Sequence, residues 1–133
     1  MPKAGKDSQE KLEFKFANTQ DRRLNMKPII TKLAGVTFGD AQKNIKLFGC
    51  KDINSYALVR EPNNPHDPNA IRVALFRRLF LGYVPKAIAR ELAPEMDAGK
   101  RFLAFFVKRN EHPRHKWVGL EVRIEQVPGE EAA

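Results

Sequence analysis

The chain has 133 residues, 42% of them hydrophobic, and a formal net charge of +8. This length suits one domain with a real core, and the hydrophobic content excludes a disordered chain. Its one cysteine, Cys50, excludes a disulfide framework and a cysteine-rich zinc site. No apolar stretch is long enough for a transmembrane helix or a signal region. We therefore expect a cytoplasmic protein without a membrane partner.

The positive charge lies within the part of the chain that is predicted to fold. Residues 27–126 carry eighteen lysines and arginines against ten acidic residues. A basic folded domain indicates a polyanionic partner, most often nucleic acid. The alternative is a soluble barrel whose charge is incidental and which binds a protein or a small ligand.

Residues 1–26 are predicted to be a polar extension, and residues 127–133 an acidic tail. Within the extension, residues 12–16 alternate between apolar and charged side chains. This alternation is typical of a short strand, so the extension either adds an edge strand or is mobile. The domain itself is predicted over residues 27–126.

The domain contains about six short strands and two helices. The first helix is predicted to begin at Asp40, and Gly49 is predicted to end it as the glycine that follows a helix C-terminus. The second helix is predicted to begin after Pro85, and Pro94 is expected to break it. The predicted strands are residues 29–38, 55–60, 70–76, 79–84, 101–109 and 117–125, and the second helix is 86–92. Short strands predominate, so we predict a mainly β (α+β) fold, a small barrel rather than a parallel sheet.

A twelve-residue connection between two predicted strands is unusually long and rigid. Residues 60–71 read R-E-P-N-N-P-H-D-P-N-A-I, with three prolines and three asparagines beside an Asp and a His. Each proline fixes its own φ, and Asn and Asp side chains bond nearby backbone. A rigid polar loop on a β scaffold indicates a binding site.

This run, followed by L-G-Y-V-P-K at residues 81–86, resembles the HIRAN domain family, and the resemblance covers roughly residues 27–126. It implies an OB-like β-barrel with two helices. It also implies a non-enzymatic module that binds the 3′ end of single-stranded DNA, as in DNA translocases of the Swi/Snf type, in DNA repair or replication-fork processing. A helicase or nuclease activity would come from a partner, and no cofactor is implied.

The resemblance also implies the site residues. Asp67 matches the loop Asp that meets the terminal 3′-hydroxyl, and Asn64 matches the loop Asn. His66 stands where the family usually has Tyr, Tyr83 stands at an aromatic or His position, and Lys86 stands at a basic position that meets phosphate. The alternative for Asp67 is a purely local role in a turn, and for Tyr83 a place in the core.

One departure from the family concerns the end of the first strand. The resemblance implies an Arg and an aromatic residue two or three positions before Gly35, where this chain has Lys32 and Thr31. Lys32 can hold a phosphate but cannot stack on a base. We therefore expect part of the stacking pocket to be missing.

A second basic surface is predicted around the connection between the last two strands, where Trp117 could stack a base. Its members are Arg101, Lys108, Arg109, Arg114 and Lys116. The alternative is a solvated hairpin. His112 and His115 lack carboxylates at useful spacing, so we expect neither a metal site nor catalytic residues; a small nuclease is the least favoured function.

Overall fold

The computed structural model describes residues 27–114 and 116–128, so the predicted extension, its strand at residues 12–16 and most of the acidic tail lie outside the described residues. The described part forms six strands and two helices. In chain order these are β1 (Ile29–Lys32), α1 (Ala41–Phe48), β2 (Tyr56–Arg60), β3 (Ile71–Leu75), β4 (Leu79–Tyr83), α2 (Lys86–Asp97), β5 (Arg101–Asn110) and β6 (Gly119–Val127).

All six strands belong to one antiparallel sheet, in the order β1-β6-β5-β2-β3-β4. The two edge strands meet just beyond the end of β1, where Ala34 and Tyr83 each donate a backbone N–H to the other's carbonyl at 2.8 Å. The sheet therefore curls until its edges touch. The predicted mainly β, OB-like barrel with two helices is confirmed.

Alternation along β6 defines the inner face of the sheet. Val118, Leu120, Val122 and Ile124 are buried, as predicted, while the residues between them face outward. Tyr56, Ile71 and Leu81 from three other strands are fully buried as well. Burying these side chains supplies the main free energy that stabilises the barrel.

Helix α1 is fastened to the barrel by two polar side chains. Asn44 is buried, and its amide nitrogen donates to the carbonyl oxygen of Phe80 on β4 at 2.8 Å. Gln42 donates to the carbonyls of Val36 and Val118 at 2.8 and 2.9 Å and accepts from the Val118 N–H at 2.8 Å. Because Val36 lies in the turn before α1, these bonds also hold that turn in place.

Two boundaries differ from the prediction by more than two residues. The first strand ends at Lys32 rather than near residue 38, because Gly35 and Gly39 have positive φ and turn the chain toward α1. The second helix continues through Pro94 to Asp97. Pro94 removes one hydrogen bond with the carbonyl of Arg90, and since both residues are exposed, that carbonyl can be hydrated instead.

Gly49 does end α1, but the predicted reason is wrong. Its φ is −84°, which any residue can adopt. A Cβ at this position would lie 2.7 Å from the carbonyl oxygen of Ile45 and 3.2 Å from Leu120. Glycine is therefore required by close packing of the helix end on β6. Within the described residues, no helix is long and apolar enough to span a membrane.

Candidate nucleic-acid interface

The loop between β2 and β3 is held by the side chains predicted to make it rigid. The Asn64 side-chain oxygen accepts the backbone N–H groups of His66 at 2.8 Å and Asp67 at 3.1 Å. Asp67 Oδ1 accepts the N–H of Asn69 at 2.9 Å, and the Asp67 carbonyl accepts the N–H of Ala70 at 3.0 Å. Local polar bonds thus fix the loop's shape, and the predicted turn-building role of Asp67 is present.

The same loop forms one wall of a cavity of about 550 Å³, which we call the end pocket. Five of the six residues predicted for the primary site line it. The lining consists of Ala34, Phe38, Asn64, His66, Asp67, Ala70, Tyr83, Val84 and Lys86. The end pocket therefore lies where the end of β1 meets β4, the start of α2 and the loop.

Only one oxygen of the Asp67 carboxylate is hydrogen-bonded within the loop, so the other can face the end pocket. Its Oδ1 is engaged by Asn69, whereas Oδ2 accepts no hydrogen bond from any described residue. His66 is exposed and uses only its backbone N–H within the loop. Lys86 is exposed at the first position of α2, with no ion pair to a described residue. The pocket thus offers one free acceptor oxygen and one free cation.

Two aromatic rings meet at Gly35. A Cβ at this glycine would lie 3.1 Å from the Phe38 ring and 3.2 Å from the Tyr83 ring, and its φ of +62° also favours glycine. Phe38 is 60% exposed, so its ring is accessible to solvent. Gly35 therefore lets two rings converge on the pocket.

Phe38 is the pocket residue that the sequence analysis missed. The family resemblance implies an aromatic residue two or three positions before Gly35, whereas the structure has Phe38 three positions after it. The signal was present in the sequence as an aromatic residue in a glycine-flanked turn, between Gly35 and Gly39. Phe38 supplies an aromatic ring from the other side of Gly35, and the expectation that part of the stacking pocket is missing stays a prediction.

Glu61 is a second residue that the sequence analysis did not single out. Its Oε1 accepts hydrogen bonds from the Tyr83 hydroxyl and the Asn64 side-chain amide, both at 2.9 Å. Its Oε2 lies 3.6 Å from Arg72 Nε. Burial, followed by the bond to Glu61, raises the pKa of Tyr83 above its usual value. Glu61 therefore joins the loop to β4.

Lys32 is not among the residues that line the end pocket. It lies on β1 opposite Glu121 of β6, with an exposed side chain. The structure therefore does not bring Lys32 together with the other five predicted residues.

The second basic surface is divided by the length of β5. Arg101 begins that strand and Arg109 stands near its end, roughly 27 Å away at the usual rise per residue. Arg109 donates to Glu111 at 2.8 Å and to the Lys46 carbonyl at 3.2 Å, which gives it a structural role at α1. Lys108, Arg114 and Lys116 are exposed at the hairpin end. Trp117, also there, is 53% exposed.

No grouping typical of a metal centre is found in the described part of the chain. Within residues 27–114 and 116–128, no three His, Cys, Asp or Glu side chains are placed so that they could hold a metal ion.

Comparison with known proteins agrees with this architecture. The model of the HIRAN domain family matches residues 29–126. A crystal structure of a protein from Lactobacillus plantarum is similar with a TM-score of 0.61 and 20% identity, covering 75% of this chain and 95% of that one. The HIRAN domain of human HLTF is similar with a TM-score of 0.56 and 21% identity, covering 78% of each chain. A search of curated proteins finds no significant match.

Proposed function

The chain belongs to the HIRAN domain family, and on that premise we propose that it is a DNA-binding module that takes the 3′ end of single-stranded DNA into the end pocket. Family membership supports nucleic-acid binding, and the pocket supports the choice of a strand end. The observation that carries the proposal is the position of Asp67, whose carboxylate lies beside two aromatic rings and one lysine in a single cavity.

A carboxylate in such a pocket discriminates between the end and the interior of a strand. Asp67 Oδ2 can accept a hydrogen bond from a terminal 3′-hydroxyl, a group that an internal nucleotide does not have. A phosphate in the same place would be repelled by the carboxylate charge. Hydrogen bonds to charged groups are worth about 1.5–3 kcal/mol, enough for selectivity of tenfold or more.

The remaining pocket residues supply affinity without reading sequence. Phe38 and Tyr83 provide ring faces for the last bases, and stacking contributes about 1–3 kcal/mol per base whatever the base is. Lys86 provides a cation for the phosphate that follows. His66 can add a smaller stacking surface.

We propose further that the chain binds without catalysing a reaction. The pocket contains one carboxylate, and no metal-binding group of side chains occurs in the described residues. In repair or replication-fork processing, a helicase or nuclease partner would then act on the strand that this module holds.

The test compares short single strands that end in a 3′-hydroxyl or a 3′-phosphate, by fluorescence anisotropy. The wild-type protein is expected to prefer the hydroxyl by about tenfold, the effect of one charge-assisted hydrogen bond. Asp67→Asn keeps an acceptor for the Asn69 N–H but removes the charge, so the preference should disappear while the fold is retained.

Glu91→Gln is the matched control, because this exposed carboxylate on α2 does not line the end pocket. It should leave the preference unchanged. Equal, salt-sensitive binding of both strands by the wild type would reduce the protein to a non-specific strand binder. Absence of binding would favour the alternative of a protein- or small-ligand-binding barrel.

A further inference from the structure

Three further cavities are linked to the end pocket by the residues that they share along their linings. The end pocket shares Asn64 and Tyr83 with a second cavity, which also measures about 550 Å³. The second shares Arg60 with a third, and the third shares Ala57 and Leu103 with a fourth, each about 390 Å³. We call the second, third and fourth cavities together the extended groove. Its lining residues extend from the loop beside the end pocket to Phe76 and Arg77 in the turn between β3 and β4.

The third cavity is strongly basic. Its cationic lining residues are Arg60, Arg77, Lys100 and Arg101. Arg60 pairs with Asp97 at 2.9 Å and Lys100 pairs with Glu95, so two of the cations have carboxylate partners. The Arg77 guanidinium makes no hydrogen bond or ion pair with any described residue. The groove thus contains a cation that is available to an anionic ligand.

The turn beside this cavity has a backbone that its residues do not favour. Phe76 and Arg77 have φ values of +55° and +64°, and they are the only non-glycine residues with positive φ in the described part of the chain. The Arg78 N–H donates to the Leu75 carbonyl at 3.1 Å, and Arg72 donates to the Arg77 carbonyl at 3.1 Å. Asn and Gly would suit such a turn better, and strain of this kind is concentrated at functional sites.

The two strained residues point to a composite binding surface. Phe76 is 71% exposed, more than any other large apolar side chain described, and it lines the fourth cavity. Its neighbour Arg77 lines the third. An exposed aromatic ring and a guanidinium from consecutive residues therefore line two cavities that share Ala57 and Leu103, and a nucleic-acid strand offers bases to the one and phosphates to the other.

We propose that the extended groove binds the nucleotides that precede the strand end, with Phe76 stacking on a base and Arg77 holding a neighbouring phosphate. This rests on the proposed function, because the end pocket supplies the start of the path. A DNA strand is favoured over an acidic peptide because the groove shares Asn64 and Tyr83 with the pocket proposed for a strand end, and because the chain belongs to a family that supports nucleic-acid binding. The site would then lie within the range of about 4–16 nucleotides that a single OB fold covers.

The test uses the full chain and 3′-hydroxyl oligonucleotides of about four and about twelve nucleotides, which lie within the site sizes of OB folds. The wild type should bind the longer strand at least about tenfold more tightly, the effect expected of one further stacked base and one phosphate contact. The double variant Phe76→Asn, Arg77→Gly introduces the residues that the turn geometry prefers. It should bind the tetranucleotide as tightly as the wild type does but should no longer bind the longer strand more tightly. Its melting temperature should be equal to that of the wild type or higher.

Arg78→Ala is the control, because it also removes one positive charge from the same turn. Arg78 is exposed and does not line any of the four cavities. This variant should still bind the longer strand more tightly than the tetranucleotide, by nearly the wild-type factor. The proposal is wrong if the double variant retains the tighter binding of the longer strand, or if Arg78→Ala loses as much of that tighter binding as the double variant does. Failure of the proposed function gives a different result. The protein would then show no preference for a tetranucleotide that ends in a 3′-hydroxyl, while its binding of the longer strand would still be weakened by the turn variants. If neither strand binds the wild type, both proposals are wrong.

Discussion

Glu61 shows how a single side chain can organise a pocket that it does not line. It accepts hydrogen bonds from Tyr83 on β4 and from Asn64 in the loop, and it partly neutralises Arg72 at 3.6 Å. Arg72 Nε is buried and has no hydrogen-bond partner, so Glu61 is the charge that offsets it. One carboxylate therefore sets the distance between the loop and Tyr83.

We predict that Glu61→Ala lowers the free energy of unfolding by about 2–3 kcal/mol, because it leaves several polar groups partly buried without their partner. DNA affinity should fall as well, since the loop is no longer joined to Tyr83. Chemical denaturation and anisotropy measure the two effects. Tyr83→Phe, which removes only one of the hydrogen bonds, should cost less, about 1 kcal/mol; an equal cost would show that Glu61 acts through Tyr83 alone.

At the scale of elements, Tyr56 ties β2 to the end of α1. The side chain is fully buried, and its hydroxyl donates to the Phe48 carbonyl at 2.9 Å. That carbonyl lies in the last turn of the helix and also accepts the backbone N–H of Cys50 at 3.0 Å. Burial raises the pKa of Tyr56 from 10.0 to about 12. The folded state thus favours the neutral phenol.

The resulting pH dependence has a defined sign. Because the folded pKa is raised, the stabilisation is fully present below pH 10 and is lost as the pH rises toward about 12. In that window the free energy of unfolding should fall by about 1 kcal/mol per pH unit from this group. Tyr56→Phe should be less stable at pH 8 by about 1–2 kcal/mol, yet should show a shallower alkaline decline. Parallel declines in urea titrations of the two proteins would contradict this assignment.

At the scale of the whole molecule, the charge of +8 favours a polyanionic partner, and the number of phosphates that its cations contact sets how binding responds to salt. If Lys86 and Arg77 each neutralise a phosphate, log affinity should fall against log salt with a slope of about −1.4. Lys86→Gln should make the slope shallower by about 0.7, while Lys43→Gln on the exposed face of α1 should not change it. A slope near zero in anisotropy titrations would exclude a phosphate-tracking surface.

The contrast between sequence and structure is clearest at the loop and at Phe38. The loop residues Asn64 and Asp67 bond to backbone groups two or three positions away. Such bonds depend on local sequence, so they could be predicted. The position of Phe38 depends on the turn at Gly35, which brings its ring beside Tyr83, 45 residues later in the chain. No local pattern contains that contact.

Sequence alone therefore determined the number and order of the strands and helices, the inward residues of β6, the rigid loop and the family, because hydrophobic period, proline and asparagine act over a few residues. It did not determine that α2 continues past Pro94, that Gly49 is required by packing, or that Arg101 is separated from the hairpin cations. Only the tertiary structure brought the two edges of the sheet together and placed Phe38, Tyr83 and Asp67 around one cavity. The physical reason is that closure of a barrel joins residues far apart in the chain, and their proximity depends on the packing of the whole sheet.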